Sequence, residues 1–174
     1  MIPLRVKYDD VHTKDFYVNN KLVRCVYDLG YCKYIQNPDL RKLKDGYYTY
    51  IIHDRHQLRV SPVAPFENGS KHIQLIQGAG ISWTGGEFYK CGNEITYNLF
   101  AGLFRDVNPY NVKHHKQELV DMLHNTFKLC NPPNMKFVDY ELIKDQEFIS
   151  KGIWKIEDIN QMYHTEDTMN FLPI

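Results

Sequence analysis

The feature that most constrains this chain is a period-two alternation repeated in short runs. Successive side chains of a strand point to opposite faces, so such runs suit half-buried strands and not helices. "GYYTYIIHDRHQLRVSP" reads as a hairpin: Tyr47–His53, a turn at Asp54–His56, then Leu58–Ser61. "GGEFYKCGNEITYNLF" reads as a second hairpin, and its turn Cys91-Gly92-Asn93 supplies a glycine for the left-handed position. "DFYVNNKLVRCVYD" reads as two strands around Asn19-Asn20, a pair that tolerates positive φ in a tight turn. "PLRVKY" is expected to be a first strand and "MKFVDYELI" a late one. His72 to Gln77 is expected to be a short strand or a half-buried segment.

The period changes once. In "VKHHKQELVDMLHNTFKLC", Leu119, Met122, Leu123 and Phe127 share one helical face. Lys113, Lys116, Gln117, Asp121 and Asn125 face away. The spacing predicts a helix over about 112–129, with "NPYN" breaking the chain before it and Asn111 as its N-cap. Lys155 to His164 reads as a short amphipathic helix. Short hairpin strands followed by one covering helix give an α+β class with a largely antiparallel sheet. The absence of a βαβ rhythm argues against a dinucleotide-binding parallel sheet. The expected organisation is one domain over 1–174, with the strand and helix of 134–164 as an extension.

Bulk properties exclude several functions. The chain of 174 residues has 21 basic and 21 acidic side chains and no basic block, so nucleic-acid binding is not expected. No apolar run reaches the length of a membrane span. The start "MIPLRVKYDD" lacks the apolar stretch of a signal peptide, so a cytoplasmic location is expected. The four cysteines are then read as free thiols, and their spacing gives no zinc motif; no metal is expected. The 13 tyrosines suit strands and wet interfaces.

The candidate chemistry centres on "KHIQLIQGAGISWTGGEF", Lys71 to Phe88. Its glycines do not form a phosphate loop, since no Gly-Lys-Ser/Thr follows and the stretch leads into a strand. They fit positive φ or close backbone approach. His72 and Glu87 could form an imidazole–carboxylate pair, serving as base and orienter or gripping sugar hydroxyls. The plainer reading is a histidine bonded to backbone and a solvent-facing glutamate. His114 and His115 are adjacent, cannot share a helix face, and read as a solvated helix start. Nothing marks Cys91 as an activated nucleophile.

The order "YYTYIIHDRHQLRV", "KHIQLIQGAGISWTGGEF", "NEITYNLFAGLF" and then a helix resembles a domain family of bacterial effector-like proteins. The same domain occurs in plant IQ-motif calmodulin-binding proteins. That family runs from a hairpin through an H-S-S-x-L block, a glycine turn into A-G-E, a second hairpin and S-G-H-Y to a helix. "RVKY" resembles its opening V-R-Y-L, and the likeness spans about residues 4–129. Here the first block is His72-Ile73-Gln74-Leu75, without either serine. A-G-E is Gly85-Gly86-Glu87, and S-G-H-Y is Ala101-Gly102-Leu103-Phe104, without its histidine. "IQNPDLRK" departs from a calmodulin-binding helix, so calmodulin is not expected as a partner.

The resemblance implies a site region at His72, Gln74, Gly85, Gly86 and Glu87. The lost serines and histidine favour a non-catalytic domain that binds a protein partner and needs no cofactor. The alternative is an ADP-ribosyltransferase-like effector enzyme using NAD. There Arg5 or His72 would hold the dinucleotide, Trp83 or one of Tyr47 to Tyr50 would wall the nicotinamide, and Glu87 would stabilise an oxocarbenium-like transition state. A further alternative is a structural part of a viral or secretion assembly. An effector or viral protein would act in the host cytoplasm.

Overall fold

The structure, a computed structural model, describes residues 1–10, 15–24, 34–62, 71–76, 80–101, 104 and 106–143. These form an α+β fold with a largely antiparallel sheet and one long helix, kinked at His115. The strands are β1 (Leu4–Asp10), β2 (Asp15–Val18), β3 (Lys21–Arg24), β4 (Ile35–Gln36), β5 (Gly46–His53), β6 (Gln57–Pro62), β7 (Gly80–Cys91), β8 (Glu94–Tyr97) and β9 (Asn134–Phe137). The helices are α1 (Lys71–Ile76) and α2 (Val107–Lys128). Sheet order is β3-β2-β1-β7-β5-β6-β4, with β8 paired to β7 and β9 beyond it. The β8–β9 pair is parallel.

Three hairpins form where the sequence places them. Asn19 and Asn20 both have positive φ between β2 and β3. Asp54 and Arg55 do the same between β5 and β6. Gly92 takes φ 58° between β7 and β8, where its N–H also donates to Asp45 Oδ1 at 2.9 Å. Positive φ at these positions matches the twist of the flanking strands.

β7 is the spine. One edge pairs with β5 along its length, from Gly46↔Lys90 to His53↔Ser82, with a bulge that leaves Trp83 as the extra residue. The other edge is shared. β1 pairs only with Gly80–Ser82, and β8 only with Phe88–Cys91. From Trp83 to Glu87 that edge has no strand beside it among the described residues.

α2 covers one face. Leu119, Met122, Leu123 and Phe127 pack on Tyr48, Tyr50, Ile52, Phe88 and Tyr97. The Phe127 ring meets Tyr50 at 5.6 Å and Tyr97 at 5.3 Å between centroids. Each such buried side chain contributes roughly 1.5–3 kcal/mol of apolar burial. The opposite face is covered by α1 and by residues 138–143. There Val138, Tyr140, Leu142 and Ile143 pack with Tyr47 and Tyr89. Arg59 secures α1, donating to the Leu75 and Ile76 carbonyls at 2.8 and 3.1 Å.

Four expectations are corrected. Of the stretch expected as a short strand or a half-buried segment, the described residues His72–Ile76 are not a strand; Lys71–Ile76 is helical, with His72, Leu75 and Ile76 buried on one side. α2 begins at Val107, not near 112. Pro109 lies in its first turn, where the missing N–H has no helical partner to lose. Asn111 is therefore not the N-cap. It is buried inside the helix, where it accepts from Ile2 N–H at 2.8 Å and donates to Ile2 O at 3.1 Å. The late strand stops at Phe137 because its partner β8 stops at Tyr97. The expected helix at 155–164 lies outside the described residues.

Candidate functional site

The open stretch of the β7 edge is where the sequence-derived site residues fall. Buried backbone groups without a strand partner need other partners, and here side chains supply them. Asn98, just past the end of β8, is fully buried. Its Oδ1 accepts from Glu87 N–H at 2.8 Å and from Phe100 N–H at 3.1 Å. Its Nδ2 donates to Tyr140 O at 2.8 Å and to Glu87 Oε1 at 3.0 Å. Asn108, in the first turn of α2, donates to Gly85 O at 3.1 Å and Leu99 O at 2.8 Å and accepts from Thr84 Oγ1 at 2.7 Å.

The two glycines are explained by crowding. A Cβ on Gly86 would lie 2.1 Å from the Asn98 carbonyl oxygen, and one on Gly85 would lie 2.9 Å from both Tyr50 O and the Phe104 ring. Neither has positive φ. Of the two roles expected for glycine here, close backbone approach is the one used.

Glu87 projects to the face covered by residues 138–143 and is only 7% exposed. Besides Asn98, its Oε1 accepts from Leu142 N–H at 3.0 Å and Ile143 N–H at 3.4 Å. Burial pushes its carboxyl up to about 7, with Glu141 adding to the rise and the three donors opposing it. The plain expectation of a solvent-facing glutamate is wrong, because the strand alternation turns Glu87 under the 138–143 segment. His72, on α1, is also buried. Its Nε2 lies 3.0 Å from Gly86 O, and its ring meets Phe104 edge-on at 6.3 Å. Burial lowers its pKa, so the neutral imidazole is favoured, and Nε2–H is the tautomer that can donate to the carbonyl.

The structure thus brings His72, Gly85, Gly86 and Glu87 to one stretch, but His72 and Glu87 have separate partners. Trp83 belongs elsewhere. It packs against the α2-side core, and the Arg55 guanidinium lies 4.2 Å above its ring. Arg55 in turn approaches Glu118 of α2 at 3.4 Å. Arg5 is exposed on β1, its N–H donating to Asn19 Oδ1 at 2.9 Å. Gln74 lies on α1.

Sequence reasoning missed Asn98 and Asn108. The signal available was a polar residue directly after the apolar alternation of "EITY", a position where a strand-end side chain can turn back onto a neighbouring backbone. Among the described residues, no three of His, Cys, Asp and Glu are grouped to hold a metal ion. No described helix is long and apolar enough to cross a membrane. No protein-family model, curated protein or solved structure matches the chain.

Proposed function

We propose that the chain is a non-catalytic domain, related to an effector-like family, that binds a protein partner. The observation that carries this reading is the engagement of Glu87. A carboxylate that stabilises a reacting sugar must present an oxygen to it. Glu87 is instead buried under residues 138–143, where its Oε1 meets three donors of its own chain, two of them backbone amides of residues 142 and 143. His72 is likewise used on Gly86 O, and the face of Trp83 holds Arg55. The surface that fits a partner surrounds the start of α2. Ile2, Phe100 and Tyr110 are large apolar side chains left exposed there, with the His114 ring tilted against that of Tyr110 at 4.6 Å between centroids. Exposed aromatic side chains of this kind are enriched in protein interfaces.

One observation favours the NAD-using, ADP-ribosyltransferase-like alternative. A buried carboxyl titrating near neutrality is typical of functional acids and bases. Incubation of the purified protein with NAD separates the two. No nicotinamide release above buffer is expected from the wild type. Release that is lost in Glu87→Gln, with the fold retained by circular dichroism, would overturn the binding reading. Photo-crosslinking from position 110 is expected to capture a discrete protein partner, and position 121 on the outer face of α2 serves as the control.

A further inference from the structure

Residues 138–143 cross the face of β5 and β7 that α2 leaves uncovered. They form no strand there; the ladder ends with Val138 N–H donating to Tyr97 O at 2.8 Å. Beyond that point, side chains of the sheet hold them. Asn98 donates to Tyr140 O, and Glu87 accepts from Leu142 and Ile143. The rest of the attachment is apolar, through Tyr47, Tyr89, Val138, Tyr140, Leu142 and Ile143.

We propose that residues 138–143 are a pH-sensitive strap: the protonated carboxyl of Glu87 keeps it seated on the sheet, and ionisation of that carboxyl favours its release. The proposal does not depend on the identity of any partner. Its basis is geometric. All three donors converge on Oε1, so the second oxygen can carry a proton without breaking any of the three bonds. Once ionised, the same group is a buried charge with no cation to pair with among the described residues. Burying such a charge is costly unless it is compensated.

Among the described residues, the groups packed around Glu87 do not supply that cation. The strap contributes Asp139, Tyr140 and Glu141, and Glu141 disfavours ionisation of Glu87. β5 and β7 contribute the phenols of Tyr47 and Tyr89. On the α2 side, Tyr50 donates to Asn98 O, and burial keeps its phenol neutral. α1 contributes His72, which burial holds toward its neutral form. Lys90 of β7 is turned to Leu43 O and Asp45, at 2.9 and 3.8 Å.

The sign follows from proton linkage. With the strap seated, the carboxyl binds its proton more tightly than an ordinary carboxylate would. With the strap lifted, water reaches it and its pKa falls back. Raising the pH therefore favours the lifted form, by up to about tenfold per pH unit between the ordinary carboxylate value and neutrality. Between pH 5.5 and 7.5 the release equilibrium is expected to rise roughly 20-fold.

Hydrogen exchange resolved to single amides tests this, with each rate divided by its intrinsic rate at the same pH. Protection of the Leu142 and Ile143 amides should fall about 20-fold from pH 5.5 to 7.5. At each pH the strap amides should exchange faster than those of Tyr50 and Phe88, because the strap lifts without unfolding of the sheet. Glu87→Gln keeps an Oε1 acceptor and cannot ionise, so its strap protection should be flat with pH. In Glu141→Gln the midpoint should move to lower pH. Strap protection that ignores pH in the wild type would overturn the proposal. So would the same pH dependence in Glu87→Gln, or strap amides protected as strongly as those of Tyr50 and Phe88 at every pH, which would mean that the strap opens only with the whole sheet.

Discussion

Replacing Asn98 by alanine tests the closure of the β7 edge directly. The side chain is fully buried and makes four hydrogen bonds, to Glu87 N–H, Phe100 N–H, Tyr140 O and Glu87 Oε1. Phe100 is exposed, so its amide can turn to water. The Glu87 amide and the Tyr140 carbonyl lose their partner inside the protein. An orphaned buried group costs about 1–3 kcal/mol, and the Glu87 carboxyl also loses a donor. A water entering the vacated volume recovers part of this. The expected destabilisation is about 4 kcal/mol at pH 6. With a urea slope of about 2 kcal/mol/M, the unfolding midpoint should drop by about 2 M. Because the Asn98 donor holds the Glu87 pKa down, its removal should also carry that carboxyl above about 7, measurable by carbon NMR of the labelled side chain. Asn98→Asp keeps the acceptor and removes both donors, so it should recover stability as the pH falls. A loss below about 1 kcal/mol in Asn98→Ala, with the urea slope unchanged, would refute the reasoning.

Two further predictions concern the same stretch. Gly86→Ala should destabilise by about 3 kcal/mol or more, because the new Cβ meets backbone oxygen at 2.1 Å and backbone cannot swing aside; thermal unfolding checks it, and a neutral result would mean β8 can shift. Stability should peak in mildly acidic solution. Glu87, raised from 4.5 to about 7, contributes stability that is present below 4.5 and lost as the pH rises through 7, at most about 3 kcal/mol. His72, lowered from 6.5, acts in the opposite sense, contributing stability above 6.5 that is lost as the pH falls through its folded value. Urea midpoints measured across pH in wild type, Glu87→Gln and His72→Ala should separate the two limbs.

What was legible in the sequence was whatever a local rule decides. The asparagine and glycine turns set three hairpins, since few residues accept positive φ. The 3.6-residue spacing of Leu119, Met122, Leu123 and Phe127 set the buried face of α2. α1 was not legible, because "HIQLIQ" satisfies two templates: Ile73 and Leu75 alternate, while His72, Leu75 and Ile76 share a helical side. Six residues are too few to decide between them. Residues 138–143 alternate like a strand, yet a strand needs a neighbour, and β8 is only four residues long. His72 and Glu87 were found together by their place around the glycines. The partners of Glu87, namely Asn98, Leu142 and Ile143, come from chain segments 11 to 56 residues away from it, and no spacing in the sequence announces such a meeting.

The bulge at Trp83 works on β7 as an inserted letter works on a reading frame. Before it, Gly80–Ser82 keep the phase of β1; after it, Thr84 onward keep the phase of β5, with Phe88 turned toward α2 and Glu87 away. Two phases of one strand are joined at a single residue. Loss of that residue would shift one side of β7 against the other, and keeping β1 in place would turn Glu87 into the aromatic core and Phe88 out of it. The choice of which side chain is hidden under which layer rests on that one extra residue.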